Sequence, residues 1–98
     1  NFDIDGVNLY PGSTVDTVNI TANKKGGKDE QTDVRIGFTS PADPTKVSDW
    51  FKDQFGKESI KASGDAAKLT GTTKDGEAFT IELTEKDGKT AGLVNIRK

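Results

Sequence analysis

A chain of 98 residues, 31% apolar and 31% charged, has material for one thin-cored domain and not for two. It contains no cysteine and no histidine, which excludes disulfides, thiolate zinc sites and thiol nucleophiles and removes the usual general base near neutral pH. Its 16 acidic and 14 basic residues interleave to a net charge of −2, so no basic stripe exists to neutralise nucleic-acid phosphates, and no apolar run approaches the roughly 20 residues of a membrane span.

Residues 1–12 carry apolar side chains at Phe2, Ile4, Val7, Leu9 and Tyr10, are broken at Gly6 and end in the turn signature Pro11-Gly12. They read as an extended N-terminal arm packed on the domain or as a frayed terminus, and burial of Phe2 decides between the two. Val15 to Ala22 alternates, Val18, Ile20 and Ala22 against Thr17, Asn19 and Thr21, the period of a half-buried strand. Asn23 to Glu30, with Lys24-Lys25-Gly26-Gly27-Lys28, is expected to be a mobile hairpin loop. Thr32 to Thr39 alternates again, with Val34, Ile36 and Phe38 inward and Arg35, Gly37 and Thr39 outward.

Asp43-Pro44 opens a helix: the carboxylate can accept an orphan backbone N–H, and proline suits the first helical position. The helix is placed at residues 44–55. Val47, Trp50, Phe51, Gln54 and Phe55 form its buried stripe, and Gly56 is its stop. Three or four short strands follow. Ser59 to Ala62 is brief, with Ile60 inward, and Ser63-Gly64-Asp65 turns the chain. Ala67 to Thr73 puts Ala67, Leu69 and Gly71 inward, and Gly71 is either a seat for one of the helix rings or a bulge or merely tolerated glycine. Glu77 to Glu85 turns Phe79, Ile81 and Leu83 inward, and Thr90 to Arg97 does the same with Val94 and Ile96 while Leu93 faces out. Asp75-Gly76 and Asp87-Gly88 are the hairpin turns between them.

The expected fold class is α+β: a mainly antiparallel sheet of five to six strands, ββα and then a β-meander, with one amphipathic helix on one face. Residues 1–98 form a single domain, an arm (1–12) followed by sheet plus helix (13–98). The pattern leaves the strand order open.

Several groupings have the residue types of a chemical site. Asp3, Asp5 and Asn8 around Gly6 lack the ligand positions and terminal glutamate of a calcium loop. Ser59 or Ser63 with Lys61 would need a desolvated lysine and oxyanion donors to act as a dyad, and a short strand supplies neither. The lysine-rich hairpin segment is followed at once by Asp29 and Glu30, so it reads as a solvated tip rather than a lipid contact. No catalytic, cofactor or metal residue is assigned. The distinctive surface is the outward sheet face, where parity places Thr21, Arg35, Thr39, Lys68, Thr70, Thr72, Thr80, Glu82, Asn95 and Arg97. Arg35, Lys68, Thr70, Thr80, Glu82 and Arg97 are its candidate interaction residues. Threonine is also recruited to exposed strands by β-propensity alone.

The run Asn1-Phe2-Asp3-Ile4-Asp5-Gly6-Val7-Asn8-Leu9-Tyr10-Pro11-Gly12-Ser13 resembles a motif near the start of a C-terminal domain in uncharacterised cell-envelope proteins of sphingomonad-type alphaproteobacteria. Phe38-Thr39-Ser40-Pro41-Ala42, Val47 with Trp50-Phe51, and Gly71 to Phe79 extend the resemblance over most of the chain. The resemblance implies export to the periplasm or envelope and carries no activity. The sequence starts at Asn1 without methionine or signal peptide, as expected of a piece of a longer exported chain. Three readings follow: a non-enzymatic, monomeric module that contacts a protein or polymer through its polar sheet face, a small-molecule or catalytic domain with a pocket between helix and sheet, and a structural spacer or cap.

Overall fold

The computed structural model describes residues 3–4, 7–25, 29–57, 60–73 and 76–97. In chain order the elements are β1 (Asp3–Ile4), β2 (Val7–Asn8), β3 (Thr14–Lys25), β4 (Asp29–Ser40), α1 (Pro44–Lys57), β5 (Ala62–Gly64), β6 (Lys68–Thr72), β7 (Ala78–Lys86) and β8 (Lys89–Arg97). Six strands form one open antiparallel sheet in the order β3-β4-β8-β7-β6-β5, and α1 packs on one face of it. The fold is α+β, as the periodicity predicts. The last four strands are the expected meander. The strand order comes from one pairing that periodicity does not reveal: β8 turns back to lie beside β4, which joins the meander to the first hairpin.

The helix forms where its signals lie. Asp43 Oδ1 accepts the Lys46 N–H at 2.9 Å, Pro44 takes the first helical position, and the Asp43 carbonyl accepts the Val47 N–H at 3.1 Å. Its buried residues are Val47, Ser48, Phe51 and Phe55. The stripe is therefore rotated towards Ser48, and Trp50 and Gln54 are half-buried rather than central. Ser48 tolerates burial because its hydroxyl donates to the Asp65 carbonyl at 3.3 Å. Trp50 makes an edge contact with Tyr10, ring centroids 5.8 Å apart, and so the N-terminal segment seals the helix flank. Gly56 does not stop the helix: it lies inside α1 without positive φ, and the Ile60 N–H closes the end on the Phe55 carbonyl at 2.8 Å.

The core is one cluster. Val34, Ile36 and Phe38 of β4, Leu69 of β6, Phe79, Ile81 and Leu83 of β7, and Val94 and Ile96 of β8 meet Val47, Phe51 and Phe55 of the helix, joined by Ile60. Phe51 stands edge-on to Phe38 and stacks on Phe55, which leans on Phe79. Burial of each such ring contributes about 2–3 kcal/mol relative to exposure. Two close approaches depend on a missing side chain. At Gly92 a Cβ would fall 2.1 Å from the Phe38 ring, and at Gly71 it would fall 2.7 Å from Phe79 Cζ. The ring seated over Gly71 thus belongs to the neighbouring strand, not to the helix.

Several expectations need correction. The proposed loop 23–30 is mostly strand: β3 runs to Lys25 and β4 starts at Asp29, with Lys25 opposite Asp29, while Gly26, Gly27 and Lys28 lie outside the described residues. The arm is not simply extended, since β1 and β2 pair antiparallel, Ile4 opposite Val7, and Leu9 and Tyr10 pack on the core; Phe2 lies outside the described residues. The strand expected at 59–62 is shifted to Ala62–Gly64, because Ile60 is held at the helix end and Asp65 makes the turn. The Asp65 carboxylate accepts the Ala67 and Lys68 N–H groups at 2.8 and 3.2 Å. These two bonds, chiefly, lower its pKa below the usual aspartate value. Ala67, in that turn, is exposed rather than inward.

The largest departure concerns β3. Val18 and Ile20 share the inner face with Ile36 and Val34, yet they are 50% and 67% exposed. Helix α1 packs chiefly along β5, β7 and β8, away from the β3 edge. Alternation specifies which side chains share a face and leaves open whether anything covers it.

Candidate interaction face

The face opposite the helix is built from aligned cross-strand rows. One row crosses all six strands: Asn19, Arg35, Asn95, Thr80, Thr70 and Ser63. On one side of it lie Thr21, Asp33, Arg97, Ala78 and Thr72, and on the other Thr17, Gly37, Leu93, Glu82 and Lys68. Strand alternation and antiparallel register alone produce this order, because residues directly opposite share a face. All six candidate interaction residues lie here. Arg35, Thr80 and Thr70 share the central row, and Lys68, Glu82 and Arg97 flank it.

Their electrostatics differ. Arg97 Nε lies 3.5 Å from Asp33 Oδ1, an ion pair rather than a hydrogen bond, and the Asp33 side chain is only 27% exposed. Arg97 therefore has an internal duty, which makes it a poorer contact residue than its position suggests. Lys68 and Glu82 are directly opposed across β6 and β7, with both side chains exposed. Arg35 makes no ion pair among the described residues and stands exposed between Asn19 and Asn95. Asn95 Oδ1 is shielded from solvent and has no hydrogen-bond partner among the described residues, an arrangement that costs about 1–3 kcal/mol. Guanidinium, amide and threonine hydroxyls thus form a flat array of donors and acceptors. Leu93, 36% exposed, adds one apolar contact beside them.

At the turn joining β7 and β8 the face ends in an open depression of about 380 Å³, lined by Asp16, Thr39, Lys86, Asp87, Lys89, Thr90 and Ala91. Asp16 occupies the bulge where β3 pairing slips between Val15 and Thr17, and its carboxylate accepts the Thr39 hydroxyl at 2.7 Å. Sequence periodicity missed this site because a bulge leaves no mark in the alternation on either side of it. The same end of the sheet holds two buried hydroxyl contacts. Thr90 donates to the Ala42 carbonyl at 2.7 Å, and the Ser13 and Ser40 hydroxyls meet at 2.6 Å. They anchor the crossover from β4 into the helix.

The other sequence candidates are not assembled. Lys61 and Ser63 are both exposed, with nothing to desolvate the lysine, and Ser59 lies outside the described residues. Asp5 of the calcium-like spacing also lies outside them, as do Gly26 to Lys28 of the lysine-rich segment. Between helix and sheet, Phe38, Phe51, Phe55, Ile36, Leu69 and Ile81 are each under 2% exposed, so side chains fill the volume a ligand pocket there would need.

Comparison of the chain with family models finds no match, and neither the curated proteins nor the solved structures contain a match to it.

Proposed function

We propose that this chain is a non-enzymatic module of an exported bacterial envelope protein, and that it docks a protein or polymer through the sheet face opposite the helix. The observation that carries this reading is the central row: an exposed guanidinium at Arg35, without a carboxylate partner among the described residues, stands in a line with the side chains of Asn19, Thr80 and Thr70. A flat ligand lying along the row would meet one charge-assisted donor and several neutral hydroxyls. The envelope address rests on the resemblance carried by Tyr10-Pro11-Gly12-Ser13 and the later matching segments.

The test is capture from a detergent-solubilised envelope fraction by the immobilised chain. Arg35→Ala with Lys68→Ala should abolish capture, and the triple variant adding Arg97→Ala should do no more. A helix-face control, Asp49→Ala, should leave capture unchanged. Because Arg97 also holds Asp33, the triple variant is accepted only if its thermal midpoint shows it folded. Capture that survives the Arg35 and Lys68 changes removes the sheet face as the docking surface.

A further inference from the structure

The two edges of the sheet are constructed differently. The β5 edge is short, three residues from Ala62 to Gly64, and is flanked by Lys61 and Asp65. Short length and flanking charge are standard protections against strand addition. The β3 edge is long, and its charges, at Asp16, Lys24 and Lys25, stand only towards its ends. It is twelve residues long, it has no neighbour beyond it among the described strands, and Thr17 to Asn23 contains no charge, proline or glycine. Its inner face presents Val18 and Ile20, the two most exposed large apolar side chains among the described residues.

We infer that this edge pairs with the β3 edge of a second copy of the chain, antiparallel, about a two-fold axis at Asn19. The sequence is self-complementary in that register. Asn19 lies opposite its own copy, Val18 lies opposite Ile20 and Ile20 opposite Val18, and Thr17 lies opposite Thr21 on the other face. Moving the axis by one residue gives inferior pairs: an axis at Val18 sets Ile20 against Asp16, and one at Ile20 sets Val18 against Ala22. The same register sets Asp16 opposite Ala22, so no two like charges oppose one another within the seven paired residues. A two-fold axis brings every residue at its centre against itself, so the uncharged centre is what self-association requires. The two six-stranded sheets would become one continuous sheet, with Val18 and Ile20 of both copies in a four-residue apolar cluster on its inner side.

The area sets the strength. Seven paired residues at about 3.4 Å each, across a sheet edge about 10 Å deep, cover about 250 Å² on each copy. The total is well below the roughly 1,200 Å² of a stable standard interface. The dimer is therefore weak and reversible, which departs from the monomer expected from the sequence.

Sedimentation velocity on the 98-residue chain from about 10 µM to about 1 mM is the direct measurement. The expected result is a sedimentation coefficient that rises with concentration, and Ile20→Lys should weaken the association at least about tenfold, since two like charges would then flank the axis. Residue 20 is 67% exposed, so the variant keeps its thermal midpoint. The natural absence of cysteine allows a second readout. Asn19→Cys should form a disulfide-linked dimer under mild oxidation much faster than Ser63→Cys on the opposite edge, because directly opposed Cβ atoms lie near disulfide distance. A single monomeric species up to about 1 mM, association unchanged by Ile20→Lys, or equal cross-linking of the two cysteine variants would each overturn the inference. That holds even if the edge accepts an extended strand from another protein.

Discussion

Replacing Gly92 by alanine adds one methyl group to an interior with no room for it. The new Cβ would sit 2.1 Å from Phe38 Cζ and 2.5 and 2.7 Å from the two Cε atoms, where carbon pairs prefer roughly 3.5–4.0 Å. The ring must retreat by more than about 1 Å, and it is already 1% exposed with the Phe51 ring centroid 6.1 Å away. Overpacking of this kind costs about 1–3 kcal/mol, and the upper half of that range applies because the colliding group is a clamped ring rather than a flexible tip. For a domain of this length, each kcal/mol moves the thermal midpoint by about 4–8 °C, so Gly92→Ala should lose about 10–20 °C. Urea titration followed by Trp50 fluorescence, with thermal circular dichroism beside it, measures the loss. The double variant Phe38→Leu with Gly92→Ala isolates the cause: the smaller side chain leaves room for the methyl, and the two changes should couple favourably by at least about 1 kcal/mol. A Gly92→Ala protein within about 0.5 kcal/mol of the parent would refute this account of the β4–β8 contact.

Gly56→Ala should have the opposite sign. Nothing lies within 4 Å of the new methyl and the backbone is helical, so the variant gains about 0.5–1 kcal/mol in the same urea titration. Asp43→Ala removes the acceptor of the Lys46 N–H and should cost about 1 kcal/mol in that assay; an unchanged midpoint would mean the cap is idle. Asp65 provides a pH test. Its carboxylate is lowered below 3.8 chiefly by the Ala67 and Lys68 N–H groups. The stability it contributes is therefore present above its unfolded value and is lost as the pH falls through the lower folded value. Asp65→Asn should be less stable than the parent at neutral pH and should lose less on acidification below about pH 4; superimposable acid limbs would remove the linkage.

What the sequence disclosed, and what it withheld, follows from the range of each signal. Asp43-Pro44 and the spacing of Val47, Phe51 and Phe55 are local, and the helix starts where they place it. The alternation of Val34, Ile36, Phe38, Phe79, Ile81, Val94 and Ile96 is local too, and each of these residues lies in the core. The residues assigned to the outward face take their places in the observed rows, apart from Thr39, which lies beyond them opposite Ala91, since parity survives any strand order that keeps the helix on one side. Long-range contacts decided the rest. The pairing of β4 with β8 aligns Arg35 with Asn95 and Thr80, and no spacing within either strand announces it. Ser48, Ser40 and Thr90 are buried because each hydroxyl finds a tertiary partner, which a hydropathy pattern counts as surface. Trp50 departs from its place in the stripe for the converse reason. Its ring packs against the core cluster beside Phe51, but at the margin, where Tyr10 covers its other side and leaves it half-buried.

The pairing of β4 with β8 also governs the timing of folding. β4 belongs to the first half of the chain and β8 is the last described strand. Until β8 is in place the β3–β4 ribbon has no sheet to join, and a lone two-stranded ribbon is marginal in water. A nascent chain halted short of Leu93 would hold its helix rings against half a wall. Maturation should therefore occur as a single late event that waits on the final strand, and truncations at that end should be the least tolerated in the molecule.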